Sequence, residues 1–361
     1  MLMSGENKSL LQDINISIGE IIPIGNHPTR SLVITDKLRH DILDVLVTYS
    51  DKIPHPADGN MGIDETTSQT LIRWQVLAYV ASIDLTIVKW FESHLDALSI
   101  LHELGYDKTD GLWAIWAAEG HPDPIYYQQG KISGTKAWCS GANIVDHALM
   151  TYRDKNGQSQ LLMVDLHQTG IQVDNGDWQA VGMQATDTGT VKFDQIPATN
   201  VGTANAYLER VGFWHGAAGV AACWYGASVC LADYLVTAYQ QKPHDYKAMY
   251  LGKIASVLAV TRQYLCHVAC LIDTQPQRSH ELAIRQLRSN VEQTARLVIE
   301  TVGQALGAAP FCRNAHFARL SADLAVFIRQ SHGAFDLQKI GELTSDVSLD
   351  LTDEQENIWQ L

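Results

Sequence analysis

The chain has 361 residues, of which 46% are hydrophobic and 18% charged, a composition that supports a large core over roughly two or three domains and sets disorder aside. Its formal net charge of -14 opposes binding to nucleic acid, whose phosphates require a basic surface, and to an anionic membrane face. One phosphorylated ligand in a local basic pocket remains compatible with that balance.

The first 20 residues are polar with scattered Ile and Leu, and lack a basic segment followed by an apolar run. The six cysteines, Cys139, Cys223, Cys230, Cys266, Cys270 and Cys312, form no CxxC pair. The expectation is a cytoplasmic protein with free thiols and no metal site.

Residues 1–30 are weakly patterned, with Pro23, Gly25 and Pro28 breaking any helix. Thr35-Asp36 then introduces Leu38, Ile42, Leu43, Val45 and Leu46 at helical spacing. A loop rich in Pro and Gly covers 51–62, and 65–104 predicts at least two long helices ending at Gly105. From Gly111 the period changes. Short runs at 112–118, 126–129, 148–152, 161–166, 178–182 and 190–193 are bounded by turn residues, with Asn156-Gly157 marking a hairpin. They predict an antiparallel β-barrel or sandwich of roughly seven or eight strands. Four helical segments follow, at about 208–241, 245–273, 278–306 and 314–343, forming a bundle. The segment 211–232 is long and uncharged enough for a membrane span, but its richness in Gly and Ala also suits close packing inside a bundle, which is the expectation here. The fold class is therefore α+β multidomain: an N-terminal helical domain (1–110), a central antiparallel β-barrel or sandwich (111–205), a C-terminal four-helix bundle (206–345) and an acidic tail (346–361).

The stretch Gly134-Thr-Lys-Ala-Trp138-Cys-Ser140-Gly-Ala142 stands out. Trp138 and Ser140, two residues apart on a strand, share a face. A flat indole beside a hydroxyl suits a flat ring carrying carbonyls; a Trp plugging the end of a barrel is the alternative.

These words resemble the acyl-CoA dehydrogenase superfamily of flavoproteins over about residues 30–343. Gly134 to Gly141 looks like the family's strand that lays a Trp and a Ser or Thr along the flavin. Gly182-Met-Gln-Ala-Thr-Asp-Thr-Gly-Thr-Val191-Lys-Phe193-Asp194 is similar to its exit from the β domain, and Gln304-Ala-Leu-Gly307-Ala308 resembles the segment that contacts a partner's FAD across a dimer interface. The resemblance implies a flavin-dependent oxidoreductase acting on an acyl-CoA or related small substrate. It implies FAD, or FMN, held by Trp138, Cys139, Ser140, Gln304 and Gly307, and a homodimer or tetramer, with a flavin reductase or electron acceptor as a further partner.

The family's carboxylate base is missing from its usual words. The Glu position falls on His332 in Ser331-His332-Gly333-Ala334-Phe335-Asp336, and the alternative position falls near Gly216. A His there resembles flavin monooxygenases of the same fold, so a reduced-flavin monooxygenase is the alternative, and a non-catalytic binding protein a third reading. His332 and His94 are the catalytic candidates. In Glu92-Ser-His94-Leu-Asp96 the two acids are i and i+4, so His94 is expected to face the cleft while the acids face elsewhere.

Overall fold

The computed structural model describes residues 5–22, 33–57, 68–106 and 110–349. Pro23, Gly25, Pro28, Gly59, Gly62 and the acidic tail beyond 349 lie outside the described residues.

Four helices come first: α1 (Gly5–Ile21), α2 (Asp36–Val47), α3 (Gln69–Ile83) and α4 (Leu85–Glu103). The first was not expected. It forms because Ile14, Ile18 and Ile22 recur every fourth residue and are fully buried against the other helices, a tertiary gain that outweighs weak local signals. Helices α2 and α4 have side-chain caps from Thr35 and Asp84. Asp84 also pairs with the buried Arg39 at 3.1 Å, so one carboxylate caps α4 and neutralises a cation from α2.

Eight strands follow: β1 (Trp113–Trp116), β2 (Tyr126–Gln128), β3 (Lys131–Cys139), β4 (His147–Arg153), β5 (Ser159–Asp165), β6 (Ile171–Asp174), β7 (Gly189–Pro197) and β8 (Thr199–Val201). They form two four-stranded sheets, ordered β1-β4-β5-β8 and β2-β3-β7-β6. The sheets are separate, so the architecture is a sandwich and the closed barrel is not formed. Nor is it wholly antiparallel, because β1 runs parallel to β4. The hairpin at Asn156-Gly157 is present, with Arg153 opposite Ser159 across the turn. The expected strand at 178–182 is irregular; its backbone leaves the sheet where Gly182 packs on the Ala322 carbonyl. Lys136 of β3 crosses between the sheets, donating to the Thr151 hydroxyl of β4 at 3.1 Å and to Glu119 at 3.1 Å.

The remaining chain is helical: α5 (Ala206–Glu209), α6 (Gly212–Gln241), α7 (Asp245–Thr274), α8 (Glu281–Leu306), α9 (Ala309–Arg313), α10 (Ala315–Phe327) and α11 (Ala334–Leu349). The last predicted helix is thus two, parted by a 3-10 turn at Ile328–Gln330 and by Ser331-His332-Gly333. Gly333 has φ +51°, left-handed backbone that ends one helix direction and starts another.

Helices α6 and α7 are each apolar and long enough to cross a membrane, at mean hydropathies of 1.3 and 1.4. The small residues of α6 have a packing use: Gly226 meets the backbone of Ala78 in α3 so closely that a Cβ would strike the Ala78 carbonyl oxygen. Gly226→Ala is accordingly expected to destabilise the fold by about 3 kcal/mol, the upper range for overpacking against backbone, read as a lower urea midpoint at unchanged slope.

Candidate functional site

Strand β3 does not end regularly. Its register with β7 shifts between Lys136 and Cys139, inserting an extra residue as a β-bulge does. Trp138 sits at this bulge with φ +62°, a conformation that costs a bulky residue about 1–2 kcal/mol. The outcome is an indole turned out of the sandwich, 63% exposed, standing edge to Trp178 at 5.8 Å between ring centres. The barrel-plug alternative is therefore excluded. Cys139 turns the opposite way into the core between the sheets. Its thiol donates to the Lys136 carbonyl at 3.3 Å, and burial pushes it well above the usual thiol range. Contrary to expectation, its side chain does not reach the cleft.

Ser140 opens a chain of hydroxyls. Its Oγ lies 2.9 Å from Thr188 Oγ1, which lies 2.9 Å from Thr186 Oγ1, which donates to the Met183 carbonyl at 2.7 Å. Each hydroxyl has one proton. Thr186 spends its proton on the carbonyl, so Thr188 donates to Thr186 and Ser140 donates to Thr188. What Ser140 offers a ligand is thus an acceptor. This wall is fixed from two sides. Trp90 of α4 donates to the Thr186 carbonyl at 2.9 Å, and the Met183 N–H donates to Asp323 of α10 at 2.6 Å. Burial raises the Asp323 carboxyl to about 6.

Trp138, Ser140, Trp178, Met183 and Thr188 line a cleft of about 670 Å³, closed on the far side by Val326, Phe327, Arg329, Gln330 and His332. His332 occupies the break between α10 and α11, where its backbone N–H donates to Asp336 at 3.1 Å. A second lobe of about 620 Å³ adjoins the first, and Lys89, Ala118, Gln330 and His332 line both. His332 therefore stands at the junction. Glu92, Asp96, Tyr207, Arg210, Gly216 and Arg288 line the second lobe.

The expectation for α4 is inverted. Glu92 and Asp96 face the lobe, and His94 faces the core, 1% exposed. His94 Nδ1 accepts from the Trp113 N–H at 3.2 Å, which leaves Nε2 protonated and 3.0 Å from Ser50 Oγ. Ser93 accepts the Ile115 N–H at 2.9 Å. Both residues satisfy the outward N–H groups of β1, an edge strand that would otherwise be unpaired there. The acids were the missed residues. Their signal was two carboxylates one helical turn apart in a helix otherwise almost wholly buried. Asp96 also explains Gly216: a Cβ there would strike the Asp96 carboxylate, which fills the space of the absent side chain. Burial raises the Asp96 carboxyl above its ordinary value, with the Arg210 guanidinium opposing at 3.9 Å. Gln304 and Gly307 lie exposed at the end of α8 and are not among the residues lining either lobe.

Burial, aided by the Arg73 charge, lowers His94 to about 4 from 6.5. Between those values the unfolded chain binds a proton on this imidazole and the folded chain does not. The stabilisation is complete above pH 6.5 and is lost as pH falls toward 4. Replacing His94 with Asn is expected to remove a slope of up to about 1.4 kcal/mol per pH unit from that window, measured by urea unfolding across pH.

No family model matches this sequence, and no curated protein matches it. Solved structures do. The ternary complex of TdsC, a dibenzothiophene monooxygenase from Paenibacillus sp. A11-2, with FMN and indole is 18% identical, with a TM-score of 0.70 over 94% of this chain and 96% of that one. KijD3 with FMN and a dTDP-linked amino keto sugar is 16% identical, with a TM-score of 0.72 over 98% and 96%. A glutaryl-CoA dehydrogenase from Mycobacterium smegmatis with FADH2 is 11% identical, with a TM-score of 0.73 over 93% and 94%. These likenesses run nearly end to end at low identity, and they establish that the chain has the fold of the acyl-CoA dehydrogenase superfamily.

Proposed function

We propose that this protein is a flavin-dependent oxidoreductase acting on a small molecule. The observation that carries the reading is the exposed indole of Trp138, held at a bulge in unfavourable backbone and facing a cleft beside a hydroxyl that can only accept. A residue kept in such a conformation marks a functional constraint. The residues present fit an isoalloxazine: Trp138 offers a flat face, Ser140 an acceptor for a ring N–H, and Arg329 a cation at the rim. FAD is the expected form. Two neighbours of this fold hold FMN, which keeps FMN as the alternative.

When bound, the flavin supplies hydride or electron acceptance. This chain's residues position the substrate and move its proton. In an acyl-CoA dehydrogenase-like reaction, Asp96 is the proton acceptor in this reading, because it is the carboxylate set against Gly216 and its raised pKa makes it the stronger base. The reduced-flavin monooxygenase is the second reading, favoured by His332 at the junction of the two lobes, where an imidazole can donate to a developing oxyanion.

Self-association belongs to the same proposal. Tyr246, Met249 and Val260 of α7 are exposed, and only 33% of the most apolar window of α7 is buried within the chain. A second copy covering that face fits the area left open, and Gln304 and Gly307 then reach the partner's flavin.

Four measurements test the reading. Purified protein reconstituted with FAD or FMN is expected to show bound-flavin absorbance, with affinity at least tenfold weaker in Trp138→Ala; a chain that takes up neither flavin overturns it. Under anaerobic conditions an acyl-CoA panel bleaches the flavin if the dehydrogenase form holds, with the rate lost in Asp96→Asn. Oxygen-dependent turnover with reduced flavin, lost in His332→Ala, selects the second. Sedimentation is expected to give a multiple of the 39.9 kDa chain mass, reduced to one copy by Val260→Glu.

A further inference from the structure

The second lobe has an incomplete set of charges. Its three lining carboxylates each have a cation: Glu92 has Lys89 at 3.0 Å, Glu119 has Lys136 at 3.1 Å, and Asp96 has Arg210 at 3.9 Å. Arg288 has none. Its guanidinium donates to the carbonyls of Ala217 and of Gln330, the latter at 3.0 Å, and lies over the Trp224 ring at 4.9 Å. Among the described residues no carboxylate comes within ion-pair distance of it, yet Arg288 is only 8% exposed. Arg285, three residues earlier on α8, has two carboxylate partners, Glu281 and Asp336. Carboxylates are thus paired directly to Arg285 on this face of α8, and none is paired directly to Arg288.

A buried cation with no carboxylate in contact is costly, and carbonyl dipoles, an aromatic face and the more distant Asp336 and Glu92 offset only part of that cost. The geometry points to a missing partner that is not protein. We infer that Arg288 anchors an anionic group of the substrate, so that the molecule accepted by this site is a small organic acid. Two of the five guanidinium N–H donors are engaged by the carbonyls, which fixes the plane of the fork and leaves donors for a carboxylate. Gln330, whose carbonyl holds the fork, lines both lobes beside His332. The anchor thus sets an acid with its far end at the junction where the cleft faces Trp138. The inference rests on the proposed substrate role of this lobe, and the same chemistry has a second source in the phosphate of the flavin.

The test is calorimetric titration of the flavin-loaded chain with benzoate and with its neutral counterpart benzamide. Benzoate is expected to bind at least tenfold more tightly. Arg288→Gln abolishes the preference and leaves benzamide unchanged, while Arg288→Lys, which keeps the charge and loses the fork, retains part of it; circular dichroism reports whether each variant folds. Equal binding of the two probes by the unaltered chain, or a preference that survives Arg288→Gln, overturns the inference. So does a loss of FMN affinity with unchanged riboflavin affinity in that variant, because Arg288 then belongs to the cofactor phosphate. The titration repeated on flavin-free chain separates the two proposals: a benzoate preference in a protein that binds no flavin removes the oxidoreductase reading and leaves the anion site standing.

Discussion

A helix with almost no exposed face has little water for its polar groups, and α4 finds protein partners or the cleft for nearly all of them in four directions, the Thr86 hydroxyl being left without one. Asp84 at its start caps the backbone and neutralises Arg39. Ser93 and His94 turn toward β1 and accept N–H groups that an edge strand leaves open. Lys89, Glu92 and Asp96 turn toward the lobe. Trp90 reaches the carbonyl of Thr186. Helical periodicity fixes these directions together: a residue that moved one face round would strand a charge in the core or a donor at the sheet edge. The helical layer, the sandwich and the cleft are registered to each other through this one element.

That dependence also explains what was legible beforehand. Hydrophobic period and turn residues were sufficient for α2, α3, α4, for most strands and for α6 to α8, because those features are local. The closure of the sheets was not local. Nor was the parallel pairing of β1 with β4, which depends on a crossover through 117–146. The break before α11 was concealed by good helix formers on both sides, and only Gly333 marked it.

At the site, Trp138 and Ser140 were readable as a pair, but for an incomplete reason. Strict alternation would have carried them to one face of a regular strand. The bulge is what turns the indole outward, and no pattern in the sequence announces a bulge. The inversion on α4 has a similar origin. Spacing shows that His94 and the two acids look in different directions, but which direction is the cleft follows from the position of β1. A buried and a half-buried carboxylate in an apolar helix are the stronger indicator, because acidic side chains are rarely set among apolar ones without a use.

The link between the Met183 N–H and Asp323 has a mechanical meaning. It ties a loop of the sandwich to α10 beneath the floor of the cleft, while Gly182 interlocks with the same helix at Ala322. Sheet and helices cannot hinge apart there without exposing a buried carboxylate. Across the cleft, Arg329, Gln330 and His332 sit on a short turn between two helices, so this wall is tied to the sandwich through α10.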